Sequence, residues 1–278
     1  MKSVKRPNYN RLTIPTPAEL FSPMEVYHEN SKLQPSDYEL FSTVNLVNTS
    51  ADIRHYTTHP FVNYPGNPTI PLAANLPAHS ADFETVLRAR RSEHDYSGRS
   101  MAFESFSRLL ILGDGIVARK TIEEGNAFSL RTAPSGGGLN PVEIYPIVMR
   151  VHGVTPGIYF FNPDQNHLEE LSLGDFTADL CEATNMRDEI RKASACFALV
   201  GVMPRSSFKY GNRAYRFVLL EAGHIAQNIL LSCQSMSLGG LPLGGFTDDK
   251  INGMLKLDGC TEITVYLVLV GEKGHAVV

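Results

Sequence analysis

Four short stretches carry the side chains and backbones that could do chemistry. Arg88-Ala-Arg-Arg-Ser-Glu-His-Asp-Tyr96 packs three guanidiniums into four residues. Such charges repel one another unless an anion neutralises them, and the planar guanidinium fork suits phosphate. A solvated basic face would have the same composition. Arg131-Thr-Ala-Pro-Ser-Gly-Gly-Gly-Leu-Asn-Pro-Val-Glu-Ile-Tyr145 sets Gly136, Gly137 and Gly138 just ahead of an apolar run. Consecutive glycines let backbone amides approach a ligand closely, or simply make a flexible turn. The Pro134-Ser135 before them and Asn140-Pro141 after them favour a built site. Neither the Gly-Lys-Ser/Thr ending of a phosphate loop nor the G-x-G-x-x-G spacing is present.

The other two stretches lie later in the chain. Phe208-Lys-Tyr-Gly-Asn-Arg-Ala-Tyr-Arg216 places Lys209 beside Tyr210, between an apolar strand-like run and an apolar helix-like run. A lysine partly buried there could lose its charge and act as a base near neutral pH, whereas a Lys–Tyr pair on an open loop could not. Leu243-Gly-Gly-Phe-Thr-Asp-Asp249 offers Gly244 and Gly245, either as amides facing a flat ligand or as an ordinary connection. Metal chemistry is not expected. Cys181, Cys196, Cys233 and Cys260 lie outside metal-ligand spacing and read as buried free thiols, and His224 and His275 lack an i,i+4 His or Cys partner.

The elements that must position these groups follow from patterning. Ten of the 17 prolines fall in the first 80 residues, against one glycine there, Gly66. That excludes long helices and predicts an extended arm over 1–80, with short helical pieces such as Pro35 to Asn45. From residue 81 the pattern becomes that of a folded domain running to 278. Helices are predicted over Phe83 to Arg90, Met101 to Ala118 and Ala214 to Met236. The last is apolar nearly all round, so it should lie centrally. Strands are predicted over Glu143 to Val151, Cys196 to Met203 and Ile263 to Val270, the last buried on both faces. Ile158 to Phe161 and His167 to Leu171 read as a hairpin. The fold class is α+β.

Bulk properties narrow the setting. At 278 residues the chain can bury a sizeable core, and 43% hydrophobic with 19% charged residues is ordinary for a soluble domain. A formal net charge of -4 gives no global attraction to nucleic acid. Met1 to Phe21 lacks the apolar core of a signal peptide, and Ile263 to Val270 is too short to span a bilayer, so the expectation is a cytoplasmic protein without a membrane partner.

Taken in order, Arg90-Arg-Ser92, Pro134-Ser-Gly-Gly-Gly138 with Pro141 and Tyr145, Lys209-Tyr210 with Tyr215-Arg216, Glu221-Ala-Gly-His-Ile-Ala-Gln-Asn228, and Gly244-Gly-Phe246 resemble the SagB/McbC group. These are flavin dehydrogenases of thiazole/oxazole-modified peptide biosynthesis within the nitroreductase superfamily. Tyr27-His-Glu-Asn-Ser-Lys32 is similar to the short arm signature of SagB-type proteins. The resemblance spans most of residues 25 to 271. It implies a nitroreductase-like fold, with a central mostly antiparallel sheet flanked by helices, forming a homodimer with FMN sites at the interface. It implies that Arg90, Arg91 and Ser92 hold the FMN phosphate and ribityl chain. Pro134, Ser135, Gly136 and Gly137 would contact the flavin from the other subunit, and Gly244 and Gly245 would face its pyrimidine edge and N5. Lys209 and Tyr210 would form the catalytic pair.

The activity implied is FMN-dependent oxidation of thiazoline or oxazoline rings in a peptide to thiazole or oxazole, with electrons passing on to dioxygen. A cyclodehydratase partner would make the ring, and the proline-rich arm is a candidate to dock it. Two departures stand out. His94 occupies a place where the family often has arginine, two positions after the serine, and Lys273 is the basic side chain left near the end for the phosphate. Two other activities fit the same motifs: an NAD(P)H-dependent nitro or quinone reductase, and a non-catalytic scaffold subunit of a synthetase complex.

Overall fold

Apolar residues recurring at every position, or at alternate positions, of short β-branched runs set the sheet at the centre of this protein. The computed structural model describes residues 23–33, 50–73, 81–123 and 126–274. The central strands are β4 (Val142–Val148) and β7 (Ala195–Val202), the first buried along its whole length. β7 pairs on its other side with β9 (Glu262–Glu272), which pairs with the edge strand β8 (Leu238–Leu243). On the opposite side follow β5 (Gly157–Asn162), β6 (His167–Leu173) and β1 (Thr69–Pro71). The order is β1-β6-β5-β4-β7-β9-β8, and these pairings are antiparallel.

Alternation along the strands sends side chains into two cores. Ile144, Phe197, Leu199, Val268 and Val270 face one side, while Tyr145, Cys196, Ala198, Leu267 and Leu269 face the other. The first side is covered by α4 (Phe103–Asp114) and by the 22-residue α8 (Ala214–Ser235). The second is covered by α5 (Thr177–Ala183), α6 (Arg187–Lys192) and α9 (Asp248–Leu255). The fold is therefore α+β, an antiparallel sheet between helical layers.

The arm residues that are described form α1 (Pro23–Asn30), α2 (Ala51–Thr58) and β1. The short helix expected over Pro35 to Asn45 lies outside the described residues. α3 (Phe83–Ala89) and the hairpin expected from Ile158 to Leu171 occur as β5 and β6 and as the predicted helix.

Three expectations are corrected. The helix expected over Met101 to Ala118 stops at Asp114. A Cβ at Gly115 would collide with the Ile111 carbonyl, and the chain turns there to start β2 (Ile116–Glu123), paired with β3 (Asn126–Arg131). β9 is fully buried only in its second half, Ile263, Val265 and Tyr266 being partly exposed. The long helix is not buried all round: Tyr215, Leu219, Leu220, Gly223, His224 and Gln227 form an exposed face. Among the described residues, no helix is long and apolar enough to cross a membrane.

Candidate functional site

The Lys-Tyr pair lies on the last turn of α7 (Pro204–Tyr210), not on a loop. Pro204 opens this helix at a position where its missing amide costs nothing, and Gly211, at φ 51, ends it. A 3-10 turn over Gly211–Arg213 then leads straight into α8. This geometry directs the Lys209 and Tyr210 side chains toward the glycine loop. A Cβ on Gly137 would overlap the Tyr210 hydroxyl and come within 2.9 Å of Lys209 Nζ. Lys209 Nζ itself sits 5.1 Å from the centroid of the Tyr210 ring. The Tyr210 ring packs edge-on against Phe217, centroids 4.7 Å apart, and a Cβ on Gly136 would lie 3.2 Å from that Phe217 ring.

The glycines are thus required by close approach as well as by backbone angle. Gly137 and Gly138 adopt φ 71 and φ 67, the left-handed region where a side chain is strained. Asn140, at φ 45, closes the loop: its amide donates to Ser135 Oγ at 2.8 Å and its side chain to the Gly138 carbonyl at 3.2 Å. Phe217 could not be found from spacing, because nothing in a helical phenylalanine distinguishes a core residue from one seated on a glycine.

Beneath the loop lies a buried charge cluster. Arg131, at the end of β3, is ion-paired with Asp114, and Arg205 with Glu143, all four buried. Arg205 also donates to the Asn140 carbonyl at 3.0 Å. Glu221 on α8, 2% exposed, accepts from the Val142 amide at 3.2 Å through Oε1, while its Oε2 has no direct partner. Burial pushes the Glu221 carboxyl up to about 8, helped by the Asp114 charge and opposed by Ser135, the Val142 amide and Arg131. Burial likewise raises Asp114, while Arg131 pulls it down. Arg131 keeps its charge and touches Asp114 directly, so Asp114 is the carboxylate of that pair, and the spare proton resides on Glu221.

The basic segment is elsewhere. Arg90, Arg91 and Ser92 follow α3. Arg91 folds back to donate to the carbonyls of Arg88 and Arg90 at 2.8 and 2.7 Å, and Arg88 is paired with Glu84. His94 Nδ1 meets Glu189 at 2.9 Å. Tyr96 forms a bridge with Lys273, so Lys273 joins this segment, donating to Gln234 at 3.3 Å. The amide of Glu93 bonds the Gly240 carbonyl on β8. Gly244 and Gly245 follow the far end of β8, where a Cβ would meet only Tyr266 at 3.8 Å for Gly244 and nothing within 4 Å for Gly245. That leaves room for a flat group against the backbone.

The structure therefore gathers Gly136, Gly137, Lys209 and Tyr210 into one group with Pro134 and Ser135. It lays the segment that carries Arg90, Arg91, Ser92 and His94 beside the start of β8 through Glu93, with Lys273 bridged to Tyr96, and it sets Gly244 and Gly245 at that strand's end. The loop group touches the start of α8 at Phe217, and the basic group touches its end at Gln234. At 1.5 Å per residue these points are about 25 Å apart within one chain.

Comparison with known proteins adds the following. The nitroreductase family model matches residues 87–272. A protein of Methanocaldococcus jannaschii named as a nitroreductase is 31% identical over 190 residues, covering 68% of this chain and 90% of its own. The microcin B17-processing protein McbC of Escherichia coli is 30% identical over 156 residues, covering 50% of this chain and 56% of its own. A nitroreductase structure from Anabaena variabilis has a TM-score of 0.69 at 26% identity, over 88% of this chain and 45% of that one. The E. coli microcin synthetase McbBCD complex, with truncated pro-MccB17 bound, contains a chain with a TM-score of 0.54 at 19% identity, over 91% of this chain and 98% of that one. That last likeness is one of fold. This chain spans little more than half the length of McbC and under half that of the Anabaena protein.

Proposed function

This chain belongs to the nitroreductase family, and from that membership we propose that it oxidises thiazoline or oxazoline rings in a modified peptide to the aromatic azole, with FMN as cofactor. The observation that carries this reading is the convergence of Lys209 and Tyr210 on Gly137 of the glycine loop. The similarity to the microcin-processing McbC supports a peptide substrate.

The residues fit the cofactor. Arg90, Arg91, Ser92, His94 and Lys273 supply the cationic and hydroxyl groups that suit a phosphate, and Pro134, Ser135, Gly136 and Gly137 form a loop whose backbone a flat ring can approach. The open backbone at Gly244 and Gly245 offers amides to a ring edge. Bound FMN supplies the two-electron acceptor for the hydride that leaves the ring. The ring proton goes to Lys209 or Tyr210, the other of the two orienting the acceptor or stabilising the developing negative charge.

The loop group and the basic group meet opposite ends of α8, an arrangement that supports a homodimer whose sites combine both copies. We take residues 1–80 as an arm on an FMN-binding domain of 81–278, tied to its sheet by the pairing of β1 with β6 and available to dock a cyclodehydratase. The McbBCD likeness supports assembly of this kind.

The visible spectrum of the purified protein, followed by the mass of a thiazoline peptide incubated with it, tests the proposal. A yellow protein that removes two hydrogens per ring without NADPH is expected, and Lys209→Ala should keep the flavin while losing the oxidation. Azole formation undiminished in that variant would remove Lys209 from its role. A nitro or quinone reductase is the second reading, favoured by the 31% identity to the methanogen protein. Rapid bleaching of the flavin by NADPH, indifferent to Lys209→Ala, would select it.

A further inference from the structure

The loop that meets Lys209 and Tyr210 rests on a charge cluster with one carboxyl too many. Asp114 from the end of α4, Arg131 from β3, Glu143 from β4, Arg205 from α7 and Glu221 from α8 face one another in the interior. Two guanidiniums neutralise two carboxylates as direct pairs. Glu221 is left with a backbone amide on one oxygen and no direct partner on the other. Its amide partner, Val142, is the first residue of β4, immediately after the loop leaves Pro141. Ser135, at the loop's entry, also acts on the Glu221 carboxyl. One side chain therefore bears on both ends of the glycine loop.

An ionised carboxylate in that position would be a third buried negative charge beside two guanidiniums already paired with Asp114 and Glu143, which is expensive unless the surroundings move or water enters. The pairs on either side hold each other directly, whereas the segment between Ser135 and Val142 contains three glycines, so the loop is what can give way.

We propose that Glu221 is a positioning residue, holding the glycine loop in its flavin-binding form only while its carboxyl carries a proton. The inference rests on the flavin reading above and adds to it a group that touches neither substrate nor cofactor. Neutral Glu221 leaves the cluster balanced, so Val142, Ser135 and the intervening Gly136 and Gly137 keep the geometry that seats Lys209 and Tyr210. Loss of the proton makes Glu221 a stronger acceptor for Val142 and Ser135 but leaves three carboxylates against two guanidiniums, and the water drawn to that buried charge opens the loop.

The test is the dissociation constant of FMN measured from pH 6 to pH 9.5 for the wild type, Glu221→Gln and Glu221→Ala. If the protonated form alone binds, the wild-type constant is flat at low pH and weakens about tenfold per pH unit above about pH 8. Glutamine keeps the shape and the acceptor for Val142 without titrating, so Glu221→Gln should bind well and lack that rise. Glu221→Ala, which drops the tether, should bind weakly throughout. A merely structural role would lower affinity without changing the pH profile. A rise retained in Glu221→Gln, or a flat wild-type profile, would overturn the proposal.

Amide hydrogen exchange over residues 134–142, read on the flavin-free protein, separates the two ideas. If no variant binds FMN, the flavin reading fails. The positioning role then stands if protection of this segment falls above pH 8 in the wild type but not in Glu221→Gln at matched pH, and is overturned if the two behave alike.

Discussion

At the scale of single residues, the three consecutive glycines are not equivalent, and their differences separate backbone strain from site geometry. Gly137 and Gly138 both sit at positive φ, so an alanine at either position should cost about 1 kcal/mol of stability from strain alone. Only at Gly137 would the new methyl meet the Tyr210 hydroxyl and Lys209 Nζ; at Gly138 it meets nothing within 4 Å. Gly137→Ala and Gly138→Ala are therefore expected to lower the melting temperature by similar amounts, while azole formation falls by at least tenfold more in Gly137→Ala. Equal losses of rate would mean that the Lys-Tyr pair does not work against this loop. Glu221 yields a second expectation, with the sign fixed by linkage. Its carboxyl in the folded protein holds a proton up to about 8, well above the ordinary value of 4.5 in the unfolded chain. The folded state thus binds more protons between those values, so this contribution to stability is complete below pH 4.5 and is lost as pH rises through 8. Thermal unfolding should fall over pH 6 to 8 with a slope of at most about 1.4 kcal/mol per pH unit from this group, and Glu221→Gln should flatten it. Identical slopes in the two proteins would place the proton elsewhere.

At the scale of elements, the docking of α1 shows how an arm peripheral to the sheet reaches the site's supporting helix. Arg216 on α8 donates to Ser31 Oγ at 2.9 and 2.6 Å and to the His28 carbonyl at 2.9 Å, while Arg213 donates to the Ser31 carbonyl at 3.1 Å. Tyr27 packs edge-on against Tyr215, centroids 5.5 Å apart. Ser31→Ala strips the guanidinium of its main side-chain acceptor, a loss of about 1–3 kcal/mol confined to this contact. Faster proteolysis and hydrogen exchange over 23–33, with the melting of the sheet domain unchanged, is the expected result; unaltered protection would show that the arm is held by something else. This clamp also marks what could be read in advance. Strands with period-two or continuous apolar runs, such as β4 and β7, and the apolar α8 were legible because burial dictates their composition. β8 was not, since Leu-Gly-Gly-Leu-Pro-Leu reads as a loop. It pairs because it is an edge strand, which tolerates Pro242, and because a Cβ at Gly239 would strike Glu93 and Tyr96. β2 was hidden by its exposed Arg119, Lys120 and Thr121, and by an apolar lead-in that continues the helical pattern of α4. The buried cluster was invisible for another reason: Asp114 and Glu221 lie far apart in the chain, and a charged residue gives no sign by itself of the partner that buries it.

At the scale of the whole molecule, the exposed face of α8 links the two half-sites. The loop group meets this helix at Phe217 and the basic group at Gln234, and the midpoint between them falls between Ile225 and Ala226. Near that point Gly223 has nothing within 4 Å of where a Cβ would be, so another backbone could come close. Leu219 and Leu220, 43% and 58% exposed, lie on the same face, although large apolar side chains on a helix normally seek cover. Two such helices related by a two-fold axis near Gly223 would run antiparallel. The start of one would then lie by the end of the other, joining the glycine loop of one copy to the basic segment of its partner. Covering the exposed half of each leucine contributes about 1 kcal/mol, and symmetry counts it twice. On the proposed dimer with shared sites, Leu220→Asp should therefore yield a folded monomer in sedimentation and lose flavin at the same time. Leu173→Asp, a comparably exposed leucine at the end of β6, serves as the control and should leave both properties intact. A Leu220→Asp monomer that still binds FMN with wild-type affinity would mean that one chain builds a complete site. The 25 Å between the half-sites would then have to be closed by a rearrangement within the protomer rather than by pairing.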